Sequence, residues 1–371
     1  MEATPTLIEP CFDVDKLSYE IFAILESKFL FGYDDPKLFL LLTAAYLACM
    51  ESSLRSQSGD PTARIADFFD VVAGSGSGGV VAAMLFARGE DGRPRFSAEE
   101  AVGVLAKNGA FRRIFGEATL RDTVKPVLIP CFDLSSGAPF LFSRADAVET
   151  DGYDFRIREI CDATCAIGKA VELNSIDGRT RIAAVGGRVA MANPTAAAIT
   201  HVLHNKQEFP FAAGIDDLLV VSIAGADPAP QSSPSTAVDQ AIALAFSHNQ
   251  ATVCNYVRLQ VHGLCVDATK ASINTSIGDA KKTVEAAEEL LRQRNIESVL
   301  FQGKRLSNET NLQKLQRITA ELIKEGDERK KSPTPTVFVK QVILTPRTSA
   351  TTTITDTTAS SSPPTPSAHI C

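Results

Sequence analysis

The sequence predicts an α/β fold with a mostly parallel central sheet, and three observations support this prediction. Apolar segments of strand length alternate with helical segments through much of the chain. Residues 67–85 form an apolar run, a glycine-rich turn and a second apolar run, which is typical of a strand that leads directly into a helix. Residues 218–223 are continuously apolar, as in strands buried on both faces.

The composition is that of an ordinary globular protein. The chain has 371 residues, of which 44% are hydrophobic and 22% are charged, so it is long enough for a sizeable core. Its net charge of −7 argues against nucleic-acid binding, which needs a basic surface. A local basic patch that meets an anionic lipid surface is still compatible with this charge.

Targeting and redox signals point to a cytoplasmic protein. The N-terminus lacks a secretory signal layout, and the longest apolar run, residues 38–50, is shorter than a membrane span. The eight cysteines show no disulfide framework or zinc spacing, and Cys161 and Cys165 are predicted to be core thiols on one helix face. We therefore expect no transmembrane segment, no metal and no cofactor.

Local signals predict the elements of the first half in order. A helix is expected at residues 15–31, and a buried helix at 38–55 whose first five residues also suit a strand. A buried strand is expected at 65–73, a helix at 80–88, and a further helix with Ser97 as its N-cap. Strands are expected at 127–132 and 139–142.

The second half is predicted in the same way. Asp154 is expected to cap a helix, and Asp177–Gly178 to turn a hairpin within residues 171–185. Asn193 and Pro194 mark the start of another helix. Charged helices are expected near 279–294 and 307–324, with Gly326 ending the second. The predicted organisation is an N-terminal helical segment (1–33), an α/β core (34–225), a helical part of the same domain (226–330) and a disordered Ser/Thr/Pro-rich tail (345–371).

The glycine turn allows a dinucleotide-binding interpretation. Gly74, Gly76 and Gly79 fit the Gly-x-Gly-x-x-Gly pattern between a strand and a helix. That fold also needs a second strand ending in an acidic residue about 20 positions later. Residues 90–94 instead have the composition of a turn, so this interpretation is weak.

A nucleophile elbow is the second interpretation, and a purely structural turn is the third. An elbow has the pattern Gly-x-Ser-x-Gly, and Gly74 and Gly78 occupy its outer positions. The central position is Gly76, while Ser75 and Ser77 are each one residue away from it. The ordinary expectation is that both serines are turn residues that bond to the backbone.

Several stretches together resemble patatin-like phospholipases, most closely the plant group III subfamily, which often has Gly-x-Gly-x-Gly at the elbow. These stretches are residues 68–79, 124–134, 137–144, 186–204 and 216–223, and the resemblance extends over roughly residues 13–325. It implies a three-layer α/β/α sandwich that hydrolyses acyl esters of phospholipids and galactolipids. It also implies peripheral contact with membrane lipids, a serine–aspartate dyad and a glycine-rich oxyanion loop.

This sequence departs from the family pattern at each catalytic element. The nucleophile position matches Gly76, and the position of the aspartate, which acts as the base, matches Gly186. The glycine-rich loop and its strand are missing where residues 33–37 lead directly into 38–42. Loss of a nucleophile or base costs on the order of 10⁴–10⁶ in kcat. The resemblance thus implies a catalytically impaired or inactive homologue, or a non-catalytic lipid-binding or regulatory protein, with Ser77 or Ser75 as weak surrogates.

Other candidate groups have ordinary explanations. His201 and His204 lie three apart on a predicted helix and are expected to be surface residues rather than a metal pair. Asp177 is expected to be a hairpin residue, and Asp133, at the end of a strand, a free carboxylate.

Overall fold

The computed structural model describes residues 36–107, 110–227, 234–248, 254–262, 280–299, 303–333, 335 and 337–340. The helices are α1 (Pro36–Ser58), α2 (Ile65–Phe68), α3 (Ser77–Phe86), α4 (Ala98–Ala106), α5 (Phe111–Phe115), α6 (Arg144–Glu149), α7 (Ile157–Thr164), α8 (Gly187–Ala190), α9 (Thr195–His204), α10 (Pro234–Phe246), α11 (Ala280–Leu291) and α12 (Asn311–Lys331). The strands are β1 (Val72–Ala73), β2 (Val127–Asp133), β3 (Ala138–Ser143), β4 (Val171–Asn174), β5 (Arg181–Val185), β6 (Val220–Asp227), β7 (Tyr256–His262), β8 (Arg294–Val299) and β9 (Gly303–Thr310). The helix predicted at residues 15–31 and the tail from residue 345 lie outside the described residues.

Strand β2 is the centre of a five-stranded sheet. One of its edges pairs along most of its length with β3. The other edge is shared, because β1 pairs in parallel with Val127 and Leu128, whereas β5 pairs antiparallel with Phe132 and Asp133. Strand β4 completes this sheet beside β5.

This shared edge brings the ends of two strands together. Strand β1 runs with β2 and ends at Ala73, opposite Leu128, whereas β5 runs against β2 and ends at Val185, opposite Phe132. The carboxyl ends of β1 and β5 therefore approach each other beside Pro130. The turns that follow the two strands meet at this point.

The α/β fold class is confirmed. The β1–β2 and β6–β7 pairs are parallel, while β2–β3, β2–β5, β4–β5 and β8–β9 are antiparallel. The antiparallel pairs β2–β3 and β4–β5 are joined by short turns in which Gly137 and Gly178 adopt φ of 66° and 73°. Such connections suit hairpins and are too short for a parallel crossover.

The core forms around helix α3. Residues 79–86 of this helix are all buried, as expected for a helix that is apolar on every side. Helices α3 and α7 pack on β2, and α1 packs on α3 and α4. No helix in the described part of the chain has the length and apolar character that crossing a membrane requires.

The prediction of a strand at residues 65–73 is largely wrong. Helix α2 occupies Ile65–Phe68, and only Val72 and Ala73 are paired as a strand. Two carboxylates explain the helix: Asp67 accepts a hydrogen bond from the Arg64 N–H at 2.8 Å, and the buried Glu51 accepts one from the Ile65 N–H at 3.3 Å. They satisfy backbone donors at the start of the helix, which apolar periodicity cannot reveal.

Three further predictions are corrected. Asp154 does not cap a helix, because α7 begins three residues later with Arg156 as its N-cap. Gly326 does not end α12, which continues to Lys331 with basic residues in its last turn. Strand β6 is not buried on both faces, since Val221 and Ile223 are only partly buried against the core.

Other local predictions are confirmed. Residues 38–55 lie in helix α1, which excludes the alternative strand at its start. Ser97 caps α4 in a capping box with Glu100. Helix α9 begins as predicted to within a residue: Pro194 is the N-cap, and the Asn193 side chain accepts a hydrogen bond from the Thr195 N–H at 3.1 Å.

Candidate functional site

The glycine turn between β1 and α3 places Gly76 in an unusual backbone conformation. Its φ is 57° and its ψ is −126°, a region that glycine enters freely and that strains other residues. Nucleophile elbows use a sharp, strained strand-to-helix turn to lift the central side chain out of the backbone. Gly76 occupies the centre of such a turn and offers no side chain.

Close packing restricts two of the neighbouring glycines, Gly74 and Gly79. A Cβ atom on Gly74 would lie 2.2 Å from the carbonyl oxygen of Gly78, and one on Gly79 would lie 3.0 Å from that of Gly74. A Cβ on Gly78 would meet nothing within 4 Å. Strand β1 and helix α3 thus approach so closely that a side chain is excluded at Gly74 and would be tightly packed at Gly79, whereas Gly78 faces open space.

Ser75 and Ser77 have different environments. The Ser75 hydroxyl is buried and has no hydrogen-bond partner among the described residues, so it does not bond to the backbone as expected. It faces the second segment of the site, because a Cβ on Gly187 would lie 3.1 Å from the Ser75 Oγ. Ser77 is the partly exposed first residue of α3.

Thr164, the last residue of α7, holds the turn in place. Its buried Oγ1 accepts a hydrogen bond from the Gly76 N–H at 3.0 Å and donates one to the Pro130 carbonyl at 2.9 Å. Pro130 lies on the part of the β2 edge that neither β1 nor β5 covers. One hydroxyl therefore fixes the elbow to the centre of the sheet.

The segment of Gly186 and Gly187 follows β5 and packs against the same threonine. A Cβ on Gly187 would lie 2.3 Å from Thr164 Oγ1 and 2.4 Å from the Pro130 carbonyl oxygen. The Gly186 N–H donates to the Ala166 carbonyl at 3.0 Å, and a Cβ on Gly186 would lie 2.5 Å from that same oxygen. The structure thus brings the segments of Gly76 and Gly186 together and leaves no space for a side chain at Gly186.

No sequence pattern reveals the site residues Thr164, Pro130 and Ala166. Thr164 is separated from Gly76 by 88 positions, and no local spacing pattern links them. The link between Thr164 and Gly76 becomes visible only when the ends of β1 and β5 are placed against β2.

Asp133 is not the free carboxylate that the sequence predicts. It is buried and accepts hydrogen bonds from the backbone N–H groups of Ser135, Ser136 and Ala183 at 3.1, 3.0 and 3.2 Å. Burial alone would raise the pKa of this carboxyl, but the hydrogen bonds, from Ser136 above all, outweigh it and lower the pKa. Asp133 therefore stabilises the β2–β3 turn as a carboxylate. Its oxygens are engaged in these hydrogen bonds, so it does not serve as a base.

Thiols near the site are poor substitutes for the serine. Burial raises the pKa of Cys131 to about 12, with a further contribution from Asp133, and burial likewise raises the pKa of Cys165 to about 12. The reactive form of cysteine is the thiolate, so both side chains are unreactive thiols at neutral pH.

The expectation that both histidines are surface residues is wrong for His201. His201 is mostly buried, with its Nε2 4.0 Å from a carboxylate oxygen of Glu208, while His204 is exposed. Burial lowers the pKa of His201 despite Glu208. Within the described ranges, no group of three or more histidine, cysteine or acidic residues could hold a metal ion.

Two remaining candidates are ordinary turns. Asp177 Oδ1 accepts hydrogen bonds from Ser175 Oγ at 2.7 Å and from the Arg179 N–H at 3.0 Å, which fixes the predicted hairpin.

After α3, the chain forms only isolated bridges, such as that between Arg88 and Pro94, before α4. The second strand of a dinucleotide-binding unit is therefore missing there, and this interpretation gains no support.

Comparison with known proteins gives several extensive matches. Patatin-like protein 3 of Oryza sativa subsp. japonica is 47% identical over 385 residues, covering 85% of this chain and 92% of that protein. Patatin-like protein 7 of Arabidopsis thaliana is 43% identical over 421 residues, covering 90% and 86% respectively. Probable inactive patatin-like protein 9 of Arabidopsis thaliana is 36% identical over 381 residues, covering 85% and 94%. No protein-family model matches the sequence.

The aligned lengths show a difference in sequence length between the chain and this relative. The alignment with the rice relative spans 385 positions, more than the 371 residues of this chain, although only 85% of the chain takes part. The relative therefore carries segments that this chain lacks.

Proposed function

Because this chain belongs to the patatin-like protein family, a family of lipid acyl hydrolases, we propose that it binds membrane lipid at the site around Gly76 but turns lipid esters over slowly or not at all. Gly76 would occupy the nucleophile position and Gly186 the position of the base. Phospholipids and galactolipids are the proposed ligands, and contact with the membrane would be peripheral.

The observation that carries this proposal is the backbone of Gly76. Its φ of 57° and ψ of −126° have the strained character of an elbow, yet no hydroxyl projects from it. The residual activity of serine hydrolases that lack their dyad comes from the oxyanion hole and from binding. The family's glycine-rich oxyanion loop is also missing from this sequence, so a binding role is favoured over hydrolysis.

The second half of the dyad supports the same proposal. The 2.5 Å separation between a Cβ on Gly186 and the Ala166 carbonyl oxygen is far below van der Waals contact. An aspartate there would require the backbone to move. The site is thus adapted to glycine at the proposed position of the base, and the missing base would impair hydrolysis in addition to the missing nucleophile.

Slow acyl hydrolysis through Ser77 is the second candidate function. Ser77 is partly exposed at the N-terminus of α3, where backbone N–H groups and the helix dipole favour a developing negative charge. Ser75 is a poorer surrogate because its hydroxyl is buried. In the described part of the chain, no carboxylate hydrogen-bonds to either serine, so a water molecule would have to remove the proton.

One experiment separates the two candidates. Purified protein is mixed with phosphatidylcholine or a galactolipid, and both lipid binding and release of free fatty acid are measured. Binding without release supports the non-catalytic function. Release that persists in Ser75→Ala and disappears in Ser77→Ala supports slow hydrolysis, and failure to bind either lipid contradicts both.

A further inference from the structure

A single loop is tied to both segments of the candidate site. This rim loop comprises residues 165–170 and connects α7 to β4. Immediately before it, Thr164 accepts the hydrogen bond of the Gly76 N–H, and within it the Ala166 carbonyl accepts that of the Gly186 N–H, both at 3.0 Å. The base of the rim loop is therefore rigidly placed beside the site.

The tip of the rim loop is exposed and combines an apolar with a cationic side chain. Ile167 is 66% exposed, more than any other large apolar side chain among those described as exposed. Gly168, with φ of 71°, lies in a bend of the chain, and Lys169 and Ala170 are also exposed. An isolated exposed apolar residue usually needs no explanation, but Ile167 directly follows Ala166, whose carbonyl accepts the hydrogen bond of the Gly186 N–H in the site that we propose for lipid.

We propose that the rim loop inserts Ile167 into the surface of a phospholipid bilayer while Lys169 contacts phosphate headgroups, which brings the candidate site against the membrane. A single isoleucine beside a lysine is far too small a patch for a stable protein interface, which needs roughly 800 Å² on each partner. It suits the boundary between headgroups and acyl chains, where one apolar side chain and one cation can each be satisfied.

This inference rests on the proposed function and adds the membrane-facing surface to it. Burying most of an isoleucine side chain strengthens partitioning by roughly tenfold or more. A lysine near an anionic surface adds about fivefold, an effect that salt reduces. The two contributions can be tested separately because they depend on different lipids.

Vesicle flotation tests the rim loop. Ile167→Asn is expected to weaken binding to phosphatidylcholine vesicles by roughly tenfold. Lys169→Gln is expected to weaken binding about fivefold only when the vesicles also contain phosphatidylglycerol. Phe211→Asn is the matched control, since Phe211 is 61% exposed outside the rim loop, and its binding should equal that of the unmodified protein.

Binding of a monomeric lipid separates this inference from the proposed function. Short-chain phosphatidylcholine below its micelle concentration reaches the site without a bilayer, so Ile167→Asn should bind it as tightly as the unmodified protein, by calorimetry. If both proteins bind the monomer and float equally well with vesicles, the rim loop proposal is overturned and the proposed function stands. If the unmodified protein binds neither form of lipid, both are overturned.

Discussion

Thr164 accepts a hydrogen bond from the N–H of Gly76 at 3.0 Å and thereby fixes the centre of the glycine turn. The same hydroxyl donates to the Pro130 carbonyl at 2.9 Å. One side chain therefore satisfies a backbone N–H in the glycine turn and a backbone carbonyl in β2. Thr164 is buried and comes from a third element, helix α7. The geometry of the turn therefore depends on tertiary packing as well as on its glycines.

Thr164→Val should destabilise the protein by about 1–3 kcal/mol, because it preserves the shape of the side chain while leaving a buried N–H and a buried carbonyl unpaired. Urea unfolding would measure the change. Thr164→Ser retains the hydroxyl and is expected to cost less. Equal stability of the valine and serine variants would show that the hydrogen bonds do not hold the turn.

Gly74→Ala and Gly78→Ala should have opposite effects although both lie in the same turn. The new Cβ of Gly74→Ala would lie 2.2 Å from a backbone oxygen, whereas that of Gly78→Ala meets nothing within 4 Å. The first change should cost about 3 kcal/mol, and the second should stabilise α3 by about 0.5–1 kcal/mol. Thermal unfolding of the two variants side by side would decide whether close packing fixes the glycine.

Gly76→Ser alone should not restore efficient lipid hydrolysis. The substitution adds a hydroxyl at the elbow, at a strain cost of about 1–3 kcal/mol, but no base accompanies it. Lack of a dyad partner costs on the order of 10⁴–10⁶ in kcat, so fatty-acid release should stay near background. Rapid release by this single variant would reveal a base that we have not identified.

Gly186→Asp should destabilise the fold, because its Cβ would lie 2.5 Å from the Ala166 carbonyl oxygen. Gly178→Asp is a suitable control, as Gly178 lies in an open hairpin turn where a Cβ meets nothing, although its φ of 73° adds strain. The unfolding midpoint in urea should fall further for Gly186→Asp. A well-folded variant at this position would mean that the site can still accommodate the acid.

The described cysteines should differ strongly in reactivity. Cys131 and Cys165 have pKa values of about 12, so only about one in 10⁴ of these side chains is a thiolate at mildly alkaline pH. Cys254, in contrast, is exposed to the reagent. Brief treatment with iodoacetamide, followed by peptide mass spectrometry, should find Cys254 alkylated before the other two. Early modification of Cys165 would indicate that the site opens in solution.

Asp133 should make stability depend on acid pH. Its folded-state pKa is lowered below 3.8, so its stabilising contribution is complete above that value and is lost as the pH falls through the lowered one. Asp133→Asn should reduce the unfolding midpoint at neutral pH and flatten its acid dependence. The surface variant Asp327→Asn should leave the unfolding midpoint at neutral pH unchanged. An equally steep acid profile for Asp133→Asn would exclude this role of Asp133.

Local signals predicted those elements whose determinants lie close together in sequence. The capping box of Ser97 and the hairpin at Asp177–Gly178 were predicted correctly, since each depends on residues within a few positions. The strand predicted at residues 65–73 failed because Asp67 and the distant Glu51, 14 positions before Ile65, accept hydrogen bonds from N–H groups at the start of helix α2. Apolar periodicity contains no information about such a distant cap.

The sequence by itself indicated the family, and the motifs around Gly76 and Gly186 led to the proposal that these glycines stand at its catalytic positions. Only the tertiary structure decided that these two segments meet at Thr164, that the Ser75 hydroxyl is buried, and that no side chain fits at Gly186. The physical reason is the opposite direction of β1 and β5 along one edge of β2. Such pairing is a long-range property, which no local pattern specifies.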